Sequence, residues 1–429
     1  MRINRDKYLN DLIIRMHNGM VKVITGMRRS GKSYLMNEIF YDYLISLNIP
    51  DDHIIKFAFD SAQDLEMIGE DLLELEQEKR KVSPNKFMDY IRNTIIDNNE
   101  YYLLLDEIQN LGSFESVLNG YLRNKNIDIY VSGSNSKFLS SDVLTEFEGR
   151  GDEIHIYPLS FKEFKSACQE NDEIAYEQYS MYGGLPLLLS MVTDEQKNKY
   201  LINQVNKTYL KDIIVRHELK NESNIGELLD ILSSGIATLV NPTKLERTFK
   251  SKKNTTISRQ TISNYIDYFI DSFLLSKVKR YDVKGKKYIE TPFKIYFEDI
   301  GIRNARLNFR QIEPTHIMEN IIYNELKFRG YNVDVGVVET KESNGNSVRT
   351  YYEVDFVATL GTQKYYIQSV YDIPSEEKWI NETKSFRKID DSFKKIIVVR
   401  NPIVSRYSDD GYRVVGLIDF LLDENSLNK

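Results

Sequence analysis

Eight consecutive residues, Gly26-Met27-Arg28-Arg29-Ser30-Gly31-Lys32-Ser33, have the types and spacing to bind a polyphosphate. They fit G-x-x-x-x-G-K-[ST] without a mismatch. In that pattern the glycines let the backbone turn tightly, and loop N–H groups point at phosphate oxygens. Lys32 is expected to reach the β- and γ-phosphates and the Ser33 hydroxyl to hold Mg²⁺, with the binding set running from Gly26 to Tyr34. A second stretch, Tyr101-Tyr102-Leu103-Leu104-Leu105-Asp106-Glu107, ends an apolar run in two acids. Downstream of a phosphate loop, Asp106 is expected to hold Mg²⁺ and Glu107 to polarise the attacking water. The chemistry these residues share is hydrolysis of a nucleoside triphosphate. ATP is favoured, because the chain has no N-K-x-D-type guanine signature.

Such residues work only if particular elements position them. Val21–Thr25 reads as a buried strand and Ser33–Phe40 as the start of a helix whose dipole favours negative charge. The Tyr101 run suits a central parallel strand covered on both faces. Residues 54–60 form a further strand ending in Asp60, either a turn-former or a neighbour of the metal. Residues 62–84 are polar and acidic, a surface helix or loop, and 86–96 have helical spacing. Residues 128–132 are a strand that runs into a polar turn. There Ser134 or Asn135 is either a sensor of the γ-phosphate and attacking water or a helix N-cap. Strands alternating with helices imply a parallel sheet with right-handed crossovers.

Arg150, in Glu148-Gly149-Arg150, has two readings. It stabilises charge on the transferring phosphoryl group, within the chain or across the interface of a homo-oligomer, or it is a surface ion-pair partner. Pro158-Leu159-Ser160-Phe161-Lys162-Glu163 is a helix start with capping-box spacing. The Gly183-Gly184 pair in Tyr182–Pro186 suits a close approach or a nucleotide-facing loop.

Composition narrows the class. The chain has 429 residues, enough for about two to four domains. With 57 basic and 64 acidic residues it carries a net charge of −7, which argues against a generally basic nucleic-acid binder but not against a local basic patch. The one cysteine, Cys168, excludes an intrachain disulfide and fits a reducing compartment. Five scattered histidines make no zinc pattern. The N-terminal residues lack a signal-peptide core, and no run approaches the ~18 apolar residues of a membrane span. A cytoplasmic protein with no membrane segment is expected.

Beyond about 190 the chain is helical and charged. Residues 257–269 resemble the second helix of a helix-turn-helix, and 274–278 and 287–289 read as strands around a Val283-Lys284-Gly285-Lys286 turn, making a wing. Ser258, Arg259, Gln260, Ser263 and Asn264 could face DNA, with lysines 250, 252, 253, 284, 286 and 287 nearby. The alternative is a packing or protein-contact module. From about 305 an α/β pattern follows: helix 319–326, then strands 352–357, 365–370 and 396–399. An acidic helix followed by strands is how PD-(D/E)xK nucleases place metal ligands. Here the acid and lysine of that pattern are replaced by Gln368-Ser369-Val370. An amide binds Mg²⁺ weakly and valine cannot activate water, so cleavage is expected to be lost. Glu319, Glu325, Glu353 and Asp355 are the remaining acids, with either weak metal binding or a structural role.

GMRRSGKS, LLLDEIQN, SGSNS, EGR, PLSFKEF and YGGLP occur in the order seen in a prokaryotic AAA-type ATPase family that carries a C-terminal domain of unknown function, and the chain resembles that family over nearly its whole length. The resemblance implies an ATPase core (1–190), a helical and winged-helix segment (191–304) and a degenerate restriction-endonuclease-like tail (305–429). It implies nucleotide and metal chemistry at Lys32, Ser33, Asp106 and Glu107, a sensor at Ser134 or Asn135, and a match of Arg150 to the family's Gly-Arg. The expected function is a Mg²⁺-dependent ATPase that couples hydrolysis to conformational change. The alternative is a nucleotide-gated DNA-binding or scaffold protein with little turnover.

Overall fold

The computed structural model describes residues 3–133, 147, 149–252, 257–344 and 346–428. Ser134, Asn135, Glu148 and Lys253 lie outside them. The chain forms two compact units, Met1–Tyr157 with Asp271–Phe273, and Pro158–Ile270 with Leu274–Lys429.

The first unit is an α/β sheet of β1 (Val21–Thr25), β2 (Ile54–Ala58), β3 (Tyr101–Asp106), β4 (Ile127–Ser132) and β5 (Gly151–His155). All pairings are parallel, in the order β2-β3-β4-β1-β5. Strands β1, β3 and β4 are buried along their whole length, as expected of central strands, and the charged residues inside two of them, Lys22 of β1 and Asp128 of β4, pair with each other. Helices supply the crossovers. One begins at Lys32–Tyr34, passes through a π-helical segment at Leu35–Phe40 and ends at Ser46. The polar stretch after β2 resolves into helices Ala62–Met67 and Leu72–Glu78, capped by the side chains of Ser61 and Asp71. Pro84–Thr94 lays Phe87 and Ile91 against Phe57 and Phe59 of the core. In this order the crossover from β1 leaves toward β2 and that from its neighbour β4 leaves toward β5; open α/β sheets bind ligands beyond the carboxyl ends of strands whose connections diverge in this way.

The second unit opens with Phe161–Ser166, whose capping box between Ser160 and Glu163 is formed on both sides. Helices follow to Ser234, then β6 (Leu239–Val240), helices Pro242–Lys252 and Arg259–Asp271, and the hairpin β7 (Leu275–Asp282) and β8 (Lys287–Phe297). After helices Ile300–Arg306 and Pro314–Phe328 come β9 (Asn332–Asn344), β10 (Asn346–Leu360), β11 (Gln363–Val370), helix Glu376–Arg387, β12 (Lys394–Val399), β13 (Arg406–Tyr407) and β14 (Arg413–Gly416). All nine strands from β6 onward join one sheet, in the order β13-β14-β12-β11-β10-β9-β7-β8-β6.

The expected boundaries at 190/191 and 304/305 therefore differ from the observed division. The compact units part at Tyr157/Pro158, and β7 pairs in parallel with β9 across the second expected boundary. A strand's own pattern shows that it has a buried face, not which distant strand completes its hydrogen bonds. The Gly183-Gly184 pair is a close-approach site within this unit. A Cβ on Gly183 (φ 78°) would stand 2.3 Å from the Asp299 carboxylate, and one on Gly184 2.3 Å from the Leu159 carbonyl oxygen. Asp299 in turn caps helix Ile300–Arg306 and accepts from Gly184 N–H at 2.7 Å.

Candidate functional site

The loop after β1 is shaped by its glycines. Gly26 has φ 135°, and a Cβ there would lie 2.3 Å from the Ile156 carbonyl oxygen. Gly31 (φ 99°) and Arg29 (φ 65°) are also left-handed. Alternating backbone hands of this kind turn successive N–H groups into one concave anion nest. Lys32 is only 4% exposed and donates to the carbonyls of Gly26 and Met27, both at 2.9 Å. Its ammonium is thereby drawn across the loop rather than out to solvent. Met27 and Ser30 are buried beneath, Arg28 is half-buried, and Arg29, Ser33 and Tyr34 are exposed.

An N-terminal residue braces this loop from behind. Arg5, 6% exposed, donates to Ser30 O at 3.3 Å and to Tyr157 O at 2.6 Å, and its guanidinium lies 4.6 Å from the Tyr8 ring centre. No motif marks Arg5; its one sequence signal is a charged residue next to the amphipathic helix Asp6–Ile14.

The carboxyl ends of β3 and β4 supply the acids. Asp106, 6% exposed, accepts a hydrogen bond from the Ser132 hydroxyl. The Glu107 N–H donates to Asp106 Oδ1 at 3.1 Å. Glu107 itself is left-handed (φ 50°), a conformation that costs a non-glycine residue about 1–3 kcal/mol and tends to persist where function needs the geometry. Its carboxylate accepts from the Gln109 amide. Asp60, just past β2, has its carboxyl raised above the usual range, first by partial burial and then by the charges of Glu107 and Asp106. Asp60 is thus close enough to feel the charges of Asp106 and Glu107.

Strands β1 and β3 flank β4, so the phosphate loop and the acids stand about two strand spacings, ~10 Å, apart at the same end of the sheet. The Ser33 hydroxyl and the Asp106 carboxylate are hard oxygen donors of the type Mg²⁺ takes alongside phosphate oxygens. Among the described residues no group of three or more His, Cys, Asp or Glu could hold a metal ion by itself. Oxygen ligands from a bound nucleotide complete such sites.

Ser132 went unread in the sequence, although a hydroxyl ending an apolar strand was a usable signal. The nearby sensor candidates, Ser134 and Asn135, lie outside the described residues. Arg150 is not brought to the loop. It is exposed at the amino end of β5, and its carbonyl accepts from Val21 N–H at 2.9 Å at the start of β1. The phosphate loop leaves the other end of β1, five residues away, or about 16 Å of extended strand.

In the second unit, the acids of helix Pro314–Phe328 and of β10 separate into two groups. Glu325 pairs with Arg329 at 2.7 Å. Glu319, Glu353 and Asp355 instead surround Lys294 of β8, at 2.9, 2.7 and 3.9 Å. Burial alone would lower the Lys294 pKa, but these three carboxylates outweigh it and raise it, so the lysine stays charged. Asp355 is pushed well above the usual carboxylate range, by burial and then by Glu319. Lys294 was not foreseen either, yet a lysine inside Phe293-Lys294-Ile295-Tyr296-Phe297 must find a buried acid. Lys22 inside β1 obeys the same rule with Asp128.

Comparison with known proteins gives the family. The model of a AAA domain matches residues 18–165, and that of a domain of unknown function matches 173–313. An uncharacterized protein of Haemophilus influenzae is 32% identical over 426 residues, covering 98% of each chain. The chain belongs to this family of AAA-domain proteins. An uncharacterized protein of Methanocaldococcus jannaschii is 28% identical, covering 95% of this chain and 87% of its own. Among solved structures, the Aeropyrum pernix Orc1 protein in complex with DNA aligns with 71% of this chain and 92% of its own, at 11% identity and a TM-score of 0.35. Cdc6p from Pyrobaculum aerophilum aligns with 75% and 95%, at 13% identity and a TM-score of 0.30. Residues 18–165 are thus a P-loop AAA-type domain, followed by a domain of unknown function. Among the described residues no helix is long and apolar enough to cross a membrane.

Proposed function

We propose that this AAA-domain protein binds Mg·ATP in the Gly26–Tyr34 loop, hydrolyses it, and uses the cycle to change the conformation of its second unit. The reading rests on one observation: Lys32 and Asp106 converge on one sheet end with only β4 between their strands. The anion nest would seat the phosphates and Lys32 would exchange its loop carbonyls for phosphate oxygens. Ser33 and Asp106 would hold Mg²⁺, which supplies charge neutralisation on the β- and γ-phosphates. Glu107 would orient and polarise the attacking water, and Ser132 would keep Asp106 aimed. Arg150, at the far end of β1, has a role in hydrolysis only in a neighbouring subunit, so that part of the reading requires a homo-oligomer. The net composition fits a cytoplasmic protein.

The test is calorimetry with Mg·ATP together with phosphate release. Lys32→Ala should abolish tight binding, and Glu107→Gln should bind but not turn over. Undiminished hydrolysis by Glu107→Gln removes its assigned role. A rise of specific activity with protein concentration supports the shared-site reading of Arg150.

A second reading has its own support. The order β6, helix Pro242–Lys252, helix Arg259–Asp271, then hairpin β7–β8 with β6 paired to β8 supports reading the segment as a winged helix. Ser258, Arg259 and Gln260 are exposed, as are Lys284, Lys286 and Lys287 at the hairpin turn. Ser263 and Asn264 are half-buried. We read this segment as a nucleotide-gated DNA contact, and the remaining tail as restriction-endonuclease-like without cleavage. Duplex binding that depends on ATP and weakens steeply with salt, alongside slow turnover, favours it over the first reading.

A further inference from the structure

A restriction-endonuclease-like tail implies a divalent cation among its acids, and the residues here do not fit one. Four observations bear on this. The Lys294 ammonium is 3% exposed by residue and already sits within 2.9 Å of Glu319 and 2.7 Å of Glu353. Glu319 Oε1 accepts a second bond from the Tyr296 hydroxyl at 2.6 Å. Asp355 Oδ2 accepts from Ser369 N–H at 2.8 Å. The Gln368 amide oxygen faces the Asp355 N–H at 3.5 Å, and Val370 is part of the apolar cluster with Val354 and Ile397. One oxygen of each carboxylate is already engaged by an N–H or O–H donor, and the space between the acids, where a divalent ion would have to sit, holds an ammonium group.

We infer that Lys294 is the built-in cation of this cluster, so that the tail's acidic site is a closed ion-paired tie and not a divalent-metal centre. The tie has a mechanical consequence. Lys294 and Tyr296 belong to β8, whereas Glu353 and Asp355 belong to β10, and β7 and β9 lie between these strands in the sheet. Glu319 belongs to helix Pro314–Phe328. One ammonium therefore fastens the hairpin that displays Lys284, Lys286 and Lys287 to the helix and strand of the tail. Removing one partner from a buried pair leaves uncompensated charge, which destabilises far more than the pair itself contributes. The inference assumes nothing about nucleotide binding, and its test is separate from ATP calorimetry.

Two measurements on the full chain, without nucleotide, test it. The first titrates Mn²⁺ against the unaltered chain, Glu353→Gln and Asp355→Asn, following free Mn²⁺ by electron paramagnetic resonance. Equal numbers of saturable sites in all three are expected; one site fewer in either variant overturns the inference. The second compares melting temperatures. Lys294→Met should melt on the order of 10 °C lower, and the added change Glu319→Gln should recover at least half of the loss. A Lys294→Met chain melting within about 2 °C of the unaltered one overturns the tie. Should Lys294→Met not fold at all, the double variant must fold, and its failure to do so counts equally against the inference.

Discussion

Gly26→Ala offers the sharpest test of the phosphate loop. The residue has φ 135°, and a Cβ would stand 2.3 Å from the Ile156 carbonyl oxygen, well inside the 3.0 Å that such contacts essentially never breach. Ile156 cannot retreat freely, because its N–H is bonded to Thr25 O at 2.8 Å where β5 continues alongside β1. The loop must therefore move instead of the strand, and it carries with it the Gly26 carbonyl that holds Lys32. A non-glycine residue in such a region costs about 1–3 kcal/mol. If that strain must be re-imposed to seat the phosphates, Mg·ATP affinity falls by roughly 5- to 150-fold. Calorimetry reads the affinity and a thermal melt reads the fold. Gly120→Ala is the matched control: it lies in helix Phe114–Tyr121 with nothing within 4 Å of the new Cβ. That change should leave ATP binding alone and stabilise the chain by about 0.5–1 kcal/mol. Gly26→Ala binding Mg·ATP within threefold of the unaltered chain would refute the steric argument.

Three further outcomes follow from the same geometry. Ser132→Ala leaves a buried Asp106 oxygen without its hydroxyl donor, a deficit of about 1–3 kcal/mol, so phosphate release should drop about tenfold while Mg-free nucleotide binding holds; an unchanged rate removes Ser132 from the site. Arg5→Lys replaces a two-pronged donor to Ser30 and Tyr157 with a single ammonium, and is expected to raise KM for ATP several-fold with kcat retained; unchanged KM sinks the bracing role. Burial pushes the Asp299 carboxyl up to about 6, above the ordinary aspartate range, despite its backbone donors. A carboxyl whose folded pKa is raised costs stability as it ionises, so this penalty is absent below the unfolded value, grows as pH rises, and is complete above about 6. The stability of the unaltered chain relative to Asp299→Asn should accordingly fall by on the order of 1 kcal/mol between pH 5 and 7.5, measured by denaturant unfolding; a difference that rises with pH contradicts the assignment.

What could be read from the residues follows the range of the forces involved. The phosphate loop, β1 and β3 were legible because each depends on neighbours in the chain: glycines where the backbone must turn left-handed, apolar runs where a strand is buried twice. The capping box at Ser160 and Glu163 is local in the same sense, and it formed. Arg150 lies five strand residues from the loop because a Gly-Arg pair says nothing about which end of a parallel strand it occupies. The hydroxyl that meets Asp106 is Ser132, inside β4, since only the register of β3 on β4 decides which residue stands beside the acid. Lys294 presents the hardest case. Its partners arrive from 25, 59 and 61 residues downstream, and a tail judged only by the motif positions around Gln368 and Val370 looks like a metal site that lost its lysine. The fold returns a lysine to the acids from another strand, where it takes the place of the metal and does not assist one. A lysine inside an apolar strand must end beside an acid because a lone buried charge costs too much to keep, and Lys22 and Lys294 both do so.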